Sequence, residues 1–198
     1  MNNNAKNASG YLELFIGPMF SKKTTTLINI YKKCINNNVP VVVINHIIDK
    51  RYGLNEKTVT SHDNISVPCL QSNSLTDIWI MKYDNKNANE YTQAHTADVI
   101  LINEGQFFLD LYDVVVDMLK YNKIIYVAGL DGDFKLKKFG MILDLIPICD
   151  KVTKLNAFCA ICKDGTAGIF TKRLTSESHQ IVVGFDNYIS VCRKCYNI

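Results

Sequence analysis

The feature that most constrains the fold is a strand, a short loop and a helix close to the N-terminus. Residues 11–16 form an apolar run, and the pattern after residue 24 is helical. One face of that helix carries Leu27, Ile28, Tyr31, Cys34 and Ile35. The connecting loop, residues 17–24, has the sequence Gly-Pro-Met-Phe-Ser-Lys-Lys-Thr. A loop between a strand and a helix is a setting in which proteins bind phosphate, because backbone N–H groups and the positive helix end meet there.

This loop predicts a polyphosphate site with one departure from the usual pattern, G-x-x-x-x-G-K-[ST]. In that pattern Lys23 would reach the outer phosphates and Thr24 would hold Mg²⁺. Lys22 stands where the second glycine is expected. A side chain held there in left-handed geometry would cost about 1 kcal/mol or more, although it adds a positive charge. Taken alone, the segment is equally compatible with a lysine-rich helix start that faces solvent.

Composition narrows the class of protein. The chain has 198 residues, 47% hydrophobic and 21% charged, so one domain or a domain with a small appendage can bury a sizeable core. The net charge of +3 is too small to indicate a nucleic-acid partner. No apolar run approaches about 18–20 residues, so no membrane span is expected. Residues 1–9 lack the apolar centre of a secretion signal, which predicts a disordered lead and a cytoplasmic chain.

Four of the seven cysteines have the spacing of a metal site. They form two C-x₂-C pairs, whose members are Cys159, Cys162, Cys192 and Cys195. Each such turn aims two thiolates at one tetrahedral ion, so the pairs predict one structural Zn²⁺. Disulfides are the alternative, which an intracellular location disfavours. The remaining cysteines, Cys34, Cys69 and Cys149, are interpreted as small buried hydrophobes.

Apolar strands alternate with helical segments through the middle of the chain. Strands are predicted at 39–44, 98–102 and 123–128, and helices at 74–83 and 109–121. Residues 53–75 are rich in turn-forming residues, and the polar connection 84–96 is long enough to be mobile. Apolar strands separated by helices are typical of a parallel sheet covered by helices on both faces. Ligands bind such sheets at the carboxyl ends of the strands.

Short motifs run in order along the chain. They are Gly-Pro-Met-Phe-Ser-x-Lys-Thr, Asp49-x-Arg51-Tyr52, Thr60-Ser61-His62-Asp63, Glu104-Gly105-Gln106-Phe107-Phe108, Gly129-Leu130-Asp131-Gly132-x-Phe134, Lys137-Lys138-Phe139-Gly140, Leu155-x-Ala157-x-Cys159, Thr171-Lys172-Arg173-Leu174 and Tyr188-x-Ser190-Val191-Cys192-Arg193-x-Cys195-Tyr196. This series resembles the thymidine kinase family shared by animal cytosol, many bacteria and large DNA viruses.

The resemblance implies an activity and an architecture. The activity is ATP-dependent phosphorylation of the 5′-hydroxyl of thymidine or deoxyuridine, with dTTP as feedback inhibitor and a homotetramer as the assembly. The architecture is a P-loop α/β domain over residues 10–150 and a small zinc ribbon over residues 151–198. In this family the loop between the zinc-binding turns covers the nucleoside.

The resemblance also implies a role for each matching residue. The triphosphate loop would comprise Gly17, Pro18, Met19, Phe20, Ser21, Lys22, Lys23 and Thr24. Glu104 would be the general base, and Lys23 and Arg51 would neutralise the transferring phosphate. Mg²⁺ would be held by Thr24 and Asp49 with Asn103 beside it. The nucleoside would contact Met19, Phe107, Leu130, Phe134, Thr171, His179, Gln180, Ile181, Val182, Val183 and Tyr188.

Two residues depart from the family pattern, and alternatives follow from them. Asn103 stands where the family has an aspartate that helps hold the metal, and Lys22 replaces glycine. These departures are consistent with a nucleotide-binding relative of weak activity, kept for assembly or regulation. A zinc-ribbon protein that binds nucleic acid is a further alternative, against which the near-neutral charge argues.

Some of the matching residues also have purely structural interpretations. Phe108 and Phe139 would then be core aromatics, Arg51 a surface ion pair and His62 a loop brace.

Overall fold

A parallel sheet forms the centre of the computed structural model, which describes residues 10–49, 57–61, 63–80, 88–182 and 184–197. In chain order, the first eight strands are β1 (Tyr11–Ile16), β2 (Val41–His46), β3 (Thr58–Thr60), β4 (Ser66–Pro68), β5 (Leu70–Ser72), β6 (Val99–Asn103), β7 (Ile124–Gly129) and β8 (Lys151–Lys154). Six of them form the sheet in the order β5-β2-β6-β7-β1-β8, and all neighbours are parallel. The predicted parallel sheet is confirmed.

Helices cover both faces of this sheet, as predicted. The α-helices of this part are α1 (Lys23–Asn36), α2 (Thr76–Trp79), α3 (Ala88–Thr96) and α4 (Leu111–Lys120). On one face, Leu27 and Ile28 of α1 pack with Phe15, Val43 and Leu101. The opposite face packs against α2, α4 and the 3₁₀ helix Ile142–Ile148. Every residue of β6 is buried, which explains why the strands are almost entirely apolar.

Three local predictions were wrong. The polar connection 84–96 contains α3, which reaches the core through Ala94 and therefore lacks a large apolar stripe. Ile35 is 51% exposed, because it lies in the last turn of α1, where Cys34 is the residue that still packs on the core. In the described part of the helix predicted at 74–83, only the single turn α2 is helical and Ile80 is extended, while residues 81–83 lie outside the described residues.

The turn-rich segment contains more regular structure than its sequence indicated. Strands β3 and β4 pair as an antiparallel hairpin, and β5 extends the sheet beside β2. The carboxylate of Asp110 fixes residues 74–76, which follow β5 along the chain. It accepts hydrogen bonds from Ser74 Oγ at 2.6 Å and from the N–H and hydroxyl of Thr76 at 2.8 and 2.7 Å.

The C-terminal part consists of two small hairpins and a helical turn. Its elements are β9 (Ala157–Phe158), β10 (Ala167–Gly168), β11 (Phe170–Arg173), β12 (Tyr188–Val191) and α5 (Arg193–Tyr196). β9 pairs with β10 and β11 with β12, both antiparallel. The sheet strand β8 lies after residue 150, so the main sheet continues past the predicted domain boundary.

The side-chain environments settle several interpretations. All seven cysteines lie in the described part and are free thiols, with Cys69 buried and Cys34 and Cys149 partly buried. Phe108 is a core residue with no exposed surface. Within the described ranges, no helix is both long and apolar enough to cross a membrane.

Candidate active site

The loop between β1 and α1 bends through three residues with positive φ. They are Gly17 at 148°, Phe20 at 64° and Lys22 at 63°. A Cβ atom at Gly17 would lie 2.1 Å from the carbonyl oxygen of Leu155, so this position requires glycine. Lys22 adopts the left-handed conformation that the missing glycine would favour, at a cost of about 1 kcal/mol. Its side chain is exposed, so its charge remains in solvent.

Lys23 places its ammonium group inside this loop. The side chain is buried, and Nζ donates to the carbonyl of Pro18 at 2.5 Å and to Ser21 Oγ at 3.3 Å. Ser21 Oγ donates in turn to the Pro18 carbonyl at 2.8 Å. The cation therefore lies at the N-terminus of α1, where the helix dipole also favours an anion.

Two buried asparagines connect the loop to Asp49. Asn103, at the end of β6, accepts from Thr24 Oγ1 at 3.2 Å and donates through Nδ2 to Asn45 Oδ1 at 2.9 Å. Asn45, near the end of β2, donates to Asp49 Oδ2 at 3.3 Å. The residues named for Mg²⁺ are thus linked through neutral amides. Hydroxyl and carboxylate oxygens are donors that Mg²⁺ prefers, so this set fits the ion.

Glu104 has a strained backbone conformation, and its side chain is held by a hydrogen bond. Its backbone is left-handed, with φ 55° and ψ 41°, where β6 passes into the 3₁₀ turn Gly105–Phe107. Gln106 Nε2 donates to Glu104 Oε2 at 2.7 Å. Gln106 is buried, and its own Oε1 accepts from the N–H of Leu130 at 2.9 Å. Strain of this kind persists where the surroundings fix it and is frequent at functional sites.

A single cleft joins the loop to an aromatic pocket. Most of the residues predicted to bind ligand line it, including Met19, Phe20, Ser21, Lys22, Lys23, Thr24, Asp49, Glu104, Phe107, Leu130, Phe134, Thr171, Gln180, Ile181, Val182 and Tyr188. Phe139 lines it as well, with its ring at a right angle to that of Phe107. The flat apolar walls are suited to a planar base, and the loop at the other end is suited to phosphates.

Met19 is held by the hairpin β11–β12. Its N–H donates to Thr171 Oγ1 at 3.0 Å, and its carbonyl accepts from Ser190 Oγ at 3.0 Å. Both hydroxyl-bearing residues are buried and face each other in the hairpin register. The C-terminal hairpin therefore fixes the backbone of the phosphate loop at the point where the loop meets the aromatic pocket.

Three site residues have roles that the sequence did not indicate, although Gln106 and Arg173 lie inside the motifs shared with the family. Gln106 orients Glu104, as described above. Arg173 lies with Cζ 3.6 Å from the centre of the Phe134 ring. Asp133 accepts from Gln180 Nε2 at 2.8 Å, which joins the turn after β7 to the segment between the cysteine pairs. The signal that could have found Arg173 is its place directly after Thr171 and Lys172 in the motif.

His46 supports the pocket from the end of β2. Its ring centre lies 5.5 Å from that of Phe107 and 4.8 Å from that of Phe108. Burial lowers the pKa of His46 and outweighs a hydrogen bond with the backbone of Asn73 that would raise it. Nδ1 accepts from the N–H of Ile48 at 3.2 Å, as a neutral imidazole can.

The four predicted metal ligands converge. The Sγ atoms of Cys159, Cys162, Cys192 and Cys195 all lie within 4.8 Å of one another. Cys162 Sγ lies 3.5 Å from Cys195 Sγ and 3.8 Å from Cys192 Sγ. A tetrahedral zinc ion with Zn–S bonds of about 2.3 Å separates its sulfurs by about 3.8 Å, so the cluster fits zinc. The backbone N–H of Cys162 lowers the pKa of the Cys159 thiol, which favours a thiolate ligand.

Some predicted residues fall elsewhere. Arg51, His62 and Val183 lie outside the described residues. His179 directs its carbonyl to Arg173, whose Nη1 donates to it at 2.5 Å.

The fold and the site together define a phosphate-loop nucleotide-binding protein with a four-cysteine cluster. The thymidine kinase family model matches residues 10–196. The chain is 42% identical to the thymidine kinase of Yaba monkey tumor virus, over 95% of this chain and 95% of the relative. It is 41% identical to the sheeppox virus thymidine kinase, over 94% and 97% of the two chains. It is 38% identical to thymidine kinase a of Arabidopsis thaliana, over 96% and 76%. The chain belongs to the thymidine kinase family.

Proposed function

We propose that this protein transfers the γ-phosphoryl group of ATP to the 5′-hydroxyl of thymidine or deoxyuridine. One observation carries the proposal: the phosphate loop, the Glu104 carboxylate and the aromatic pocket line the same cleft. A nucleoside whose base occupies the pocket and a triphosphate in the loop would meet inside one enclosure. Membership of the thymidine kinase family supports thymidine as the nucleoside and ATP as the phosphate donor.

The reaction needs positioning and charge neutralisation more than covalent help. The 5′ oxygen forms a bond to the γ-phosphorus while the bond to the β–γ bridging oxygen breaks. ADP leaves with that electron pair, and the hydroxyl proton passes to the Glu104 carboxylate. Gln106 orients this carboxylate by donating to Oε2. Lys23 supplies positive charge at the loop, and Arg51 is proposed to add charge beside the transferring group.

Two metal ions are part of the proposal. Thr24 and Asp49 would hold Mg²⁺, which neutralises phosphate charge when bound. The four cysteines would hold a structural Zn²⁺, since four thiolates leave no open position for water. Thr171 and Ser190, in the hairpin between the two cysteine pairs, bond to the backbone of Met19, so a metal that fixed the hairpin would also fix Met19.

A coupled assay of ADP release tests the proposed reaction. We expect release that depends on thymidine or deoxyuridine, with deoxycytidine as the control nucleoside. Release that does not depend on a nucleoside, or no release with either substrate, would contradict it.

A second candidate is a family member that binds nucleotide but has weak catalysis. It is favoured by the left-handed Lys22 and by the neutral Asn103, which contacts Thr24 in place of a charged carboxylate. Isothermal titration separates the two candidates. Binding of ATP and thymidine without turnover is the outcome that would select this second one.

Assembly and regulation are further proposals that rest on the family resemblance, and the location is proposed from the cysteines. We propose a homotetramer, to be checked by light scattering, and inhibition by dTTP, whose base and triphosphate would occupy the two ends of one cleft. Seven cysteines without a disulfide among the described residues are consistent with the reducing cytoplasm that we propose. The small net charge of +3 supports a protein without a nucleic-acid partner.

A further inference from the structure

Arg173, the last residue of β11, lies at the centre of an unusual set of contacts. Its side chain is 8% exposed. Nη1 donates to the carbonyls of Glu177 at 2.8 Å and His179 at 2.5 Å. Nη2 donates to the carbonyl of Gln180 at 2.9 Å and to the hydroxyl of Tyr188 at 2.6 Å. One guanidinium group therefore holds three carbonyls of the chain that follows it.

These carbonyls belong to the segment that lies over the pocket. We call residues 174–182 and 184–187 the covering segment. In the described part it contains one short 3₁₀ turn, Phe185–Asn187, and its side chains are largely exposed. The segment therefore lacks a regular hydrogen-bond ladder of its own.

The same guanidinium group also positions two aromatic walls of the pocket. Its Cζ lies 3.6 Å from the ring centre of Phe134 and 5.1 Å from that of Tyr188. Tyr188 links Arg173 to a further residue of the covering segment, because the Tyr188 hydroxyl donates to the carbonyl of Val182 at 3.1 Å. Phe134, Tyr188 and Val182 all line the cleft.

Two further side-chain contacts fasten the covering segment. Lys135 Nζ donates to the Ser178 carbonyl at 3.1 Å in an exposed position, and Gln180 Nε2 donates to the buried Asp133 at 2.8 Å. Unlike Lys135, Arg173 is a buried cation, and its Nε has no hydrogen-bond partner among the described residues. A cation is buried here against carbonyl dipoles and ring faces, which requires a defined geometry from its neighbours.

We propose that Arg173 is the positioning residue for nucleoside binding: it holds the covering segment and the Phe134 and Tyr188 rings in the arrangement that receives the base. The inference rests on the proposed function, because it names the residue that shapes the nucleoside end of that site. Lysine would keep the charge at this position but lose the planar fork that bonds several carbonyls at once.

The test compares Arg173→Ala and Arg173→Lys with Lys135→Ala, which removes an exposed contact to the same segment. We expect both Arg173 variants to raise the thymidine KM on the order of 10- to 100-fold and to leave the ATP KM within about two-fold. Lys135→Ala should change either constant less than about three-fold. Added ethylguanidinium should partly restore the thymidine KM of Arg173→Ala but not that of Arg173→Lys.

A readout without turnover keeps the inference separate from the proposed function. Hydrogen exchange of peptides spanning 174–187 should accelerate in both Arg173 variants, while exchange in the phosphate loop and the zinc content stay unchanged. Unchanged exchange in that segment, or equal rises in the thymidine and ATP KM values, would overturn the inference. If the unmodified protein does not bind thymidine, the proposed function fails, and the exchange data alone decide whether Arg173 positions the segment.

Discussion

The two ends of the cleft are built in different ways. At the phosphate end, the loop follows directly from β1, and Lys23 and Ser21 bond to the Pro18 carbonyl, five and three residues away. At the nucleoside end, Arg173 holds carbonyls four to seven residues further along the covering segment. Met19 joins the two ends, because this loop residue bonds to Thr171 and Ser190, which are 152 and 171 residues away. The phosphate end therefore depends on backbone shape and the sheet, whereas the nucleoside end depends on side chains of the C-terminal hairpin. Mutations should separate the two accordingly.

The largest expected effect lies at the phosphate end and concerns Glu104. Glu104→Gln keeps an acceptor for Gln106 but removes the carboxylate that we propose as the proton acceptor of the reaction. We expect kcat to fall roughly 10²–10⁴-fold, with thymidine affinity within a few-fold of the unmodified protein. Steady-state kinetics with thymidine titrations measures both quantities. Asp144→Asn removes a surface carboxylate and is the matched control. A large loss of affinity with little change in kcat would indicate a binding role for Glu104.

The second largest effect concerns the cysteine cluster, whose loss should weaken nucleoside binding but not ATP binding. Cys162→Ser removes one thiolate of the cluster, so zinc should fall below one ion per chain and the hairpin β11–β12 should loosen. We expect the thymidine KM to rise on the order of 10-fold before the ATP KM changes. Metal analysis and kinetics on the same samples measure this. Cys149→Ser, outside the cluster, should change neither, and a zinc-free active protein would contradict the prediction.

A smaller effect should follow from restoring the family residues. Lys22→Gly relieves the left-handed strain of about 1 kcal/mol. It should therefore lower the ATP KM by up to about five-fold. Asn103→Asp restores a charge beside Thr24, but an aspartate cannot donate to Asn45 Oδ1. Asn45 must then reorient its amide, and its bond to Asp49 is lost. We therefore expect the Asn103 variant to act on kcat and on the Mg²⁺ requirement.

The double variant should not behave as the sum of the single variants, because the two residues would flank the same proposed phosphate–metal site. Kinetics of the four proteins at several Mg²⁺ concentrations gives the interaction term. If each single change lowers activity and the double change raises it, Lys22 and Asn103 compensate each other. If all four bind thymidine without phosphorylating it, the kinase proposal fails.

The smallest kinetic effect should come from Asp110, which belongs to neither end. Asp110→Ala leaves the N–H and hydroxyl of Thr76 without their acceptor, and we expect a loss of about 1–3 kcal/mol in unfolding free energy with both KM values unchanged. Burial alone would raise the pKa of Asp110, but the hydrogen bonds from Ser74 and Thr76 outweigh it and lower the pKa. Because the folded pKa is lowered, its stabilisation is present above about pH 4 and is lost as pH falls through the folded value.

Urea unfolding at several pH values measures this contribution, with Asp113→Ala as the matched control. Asp113 is an exposed acid in the first turn of α4, so its loss should cost less than about 1 kcal/mol. A difference between the Asp110 variant and the unmodified protein that persists unchanged at pH 2 would contradict the assignment.

Sequence predicted the parts of this molecule that depend on local pattern. Strands β1, β2, β6 and β7 of the parallel sheet and the convergence of the four cysteines follow from periodicity and spacing, which neighbouring residues determine. Strands β5 and β8, at the two edges of the sheet, were not predicted. The left-handed backbone at Lys22 agrees with the glycine that the loop pattern expects at this position. Helix α3 was missed because it contacts the core through one small residue, Ala94, so no apolar stripe marks it.

The contacts made by Arg173 and Gln106 could not be predicted by the same means. Each acts through carbonyl or carboxylate groups whose positions depend on tertiary structure. A sequence motif places Arg173 beside Thr171, but only the folded chain brings its guanidinium group to the ring of Phe134, distant along the chain.

The two hydrogen bonds between the Met19 backbone and the hairpin β11–β12 have a thermodynamic consequence. One residue belongs to the phosphate loop and is bonded on both sides of its peptide backbone to the hairpin that carries the nucleoside walls. Ordering of that hairpin by a nucleoside should therefore alter the free energy of nucleotide binding, and the coupling must be reciprocal. Whatever factor thymidine contributes to the affinity for a nonhydrolysable ATP analogue, the analogue must contribute equally to the affinity for thymidine.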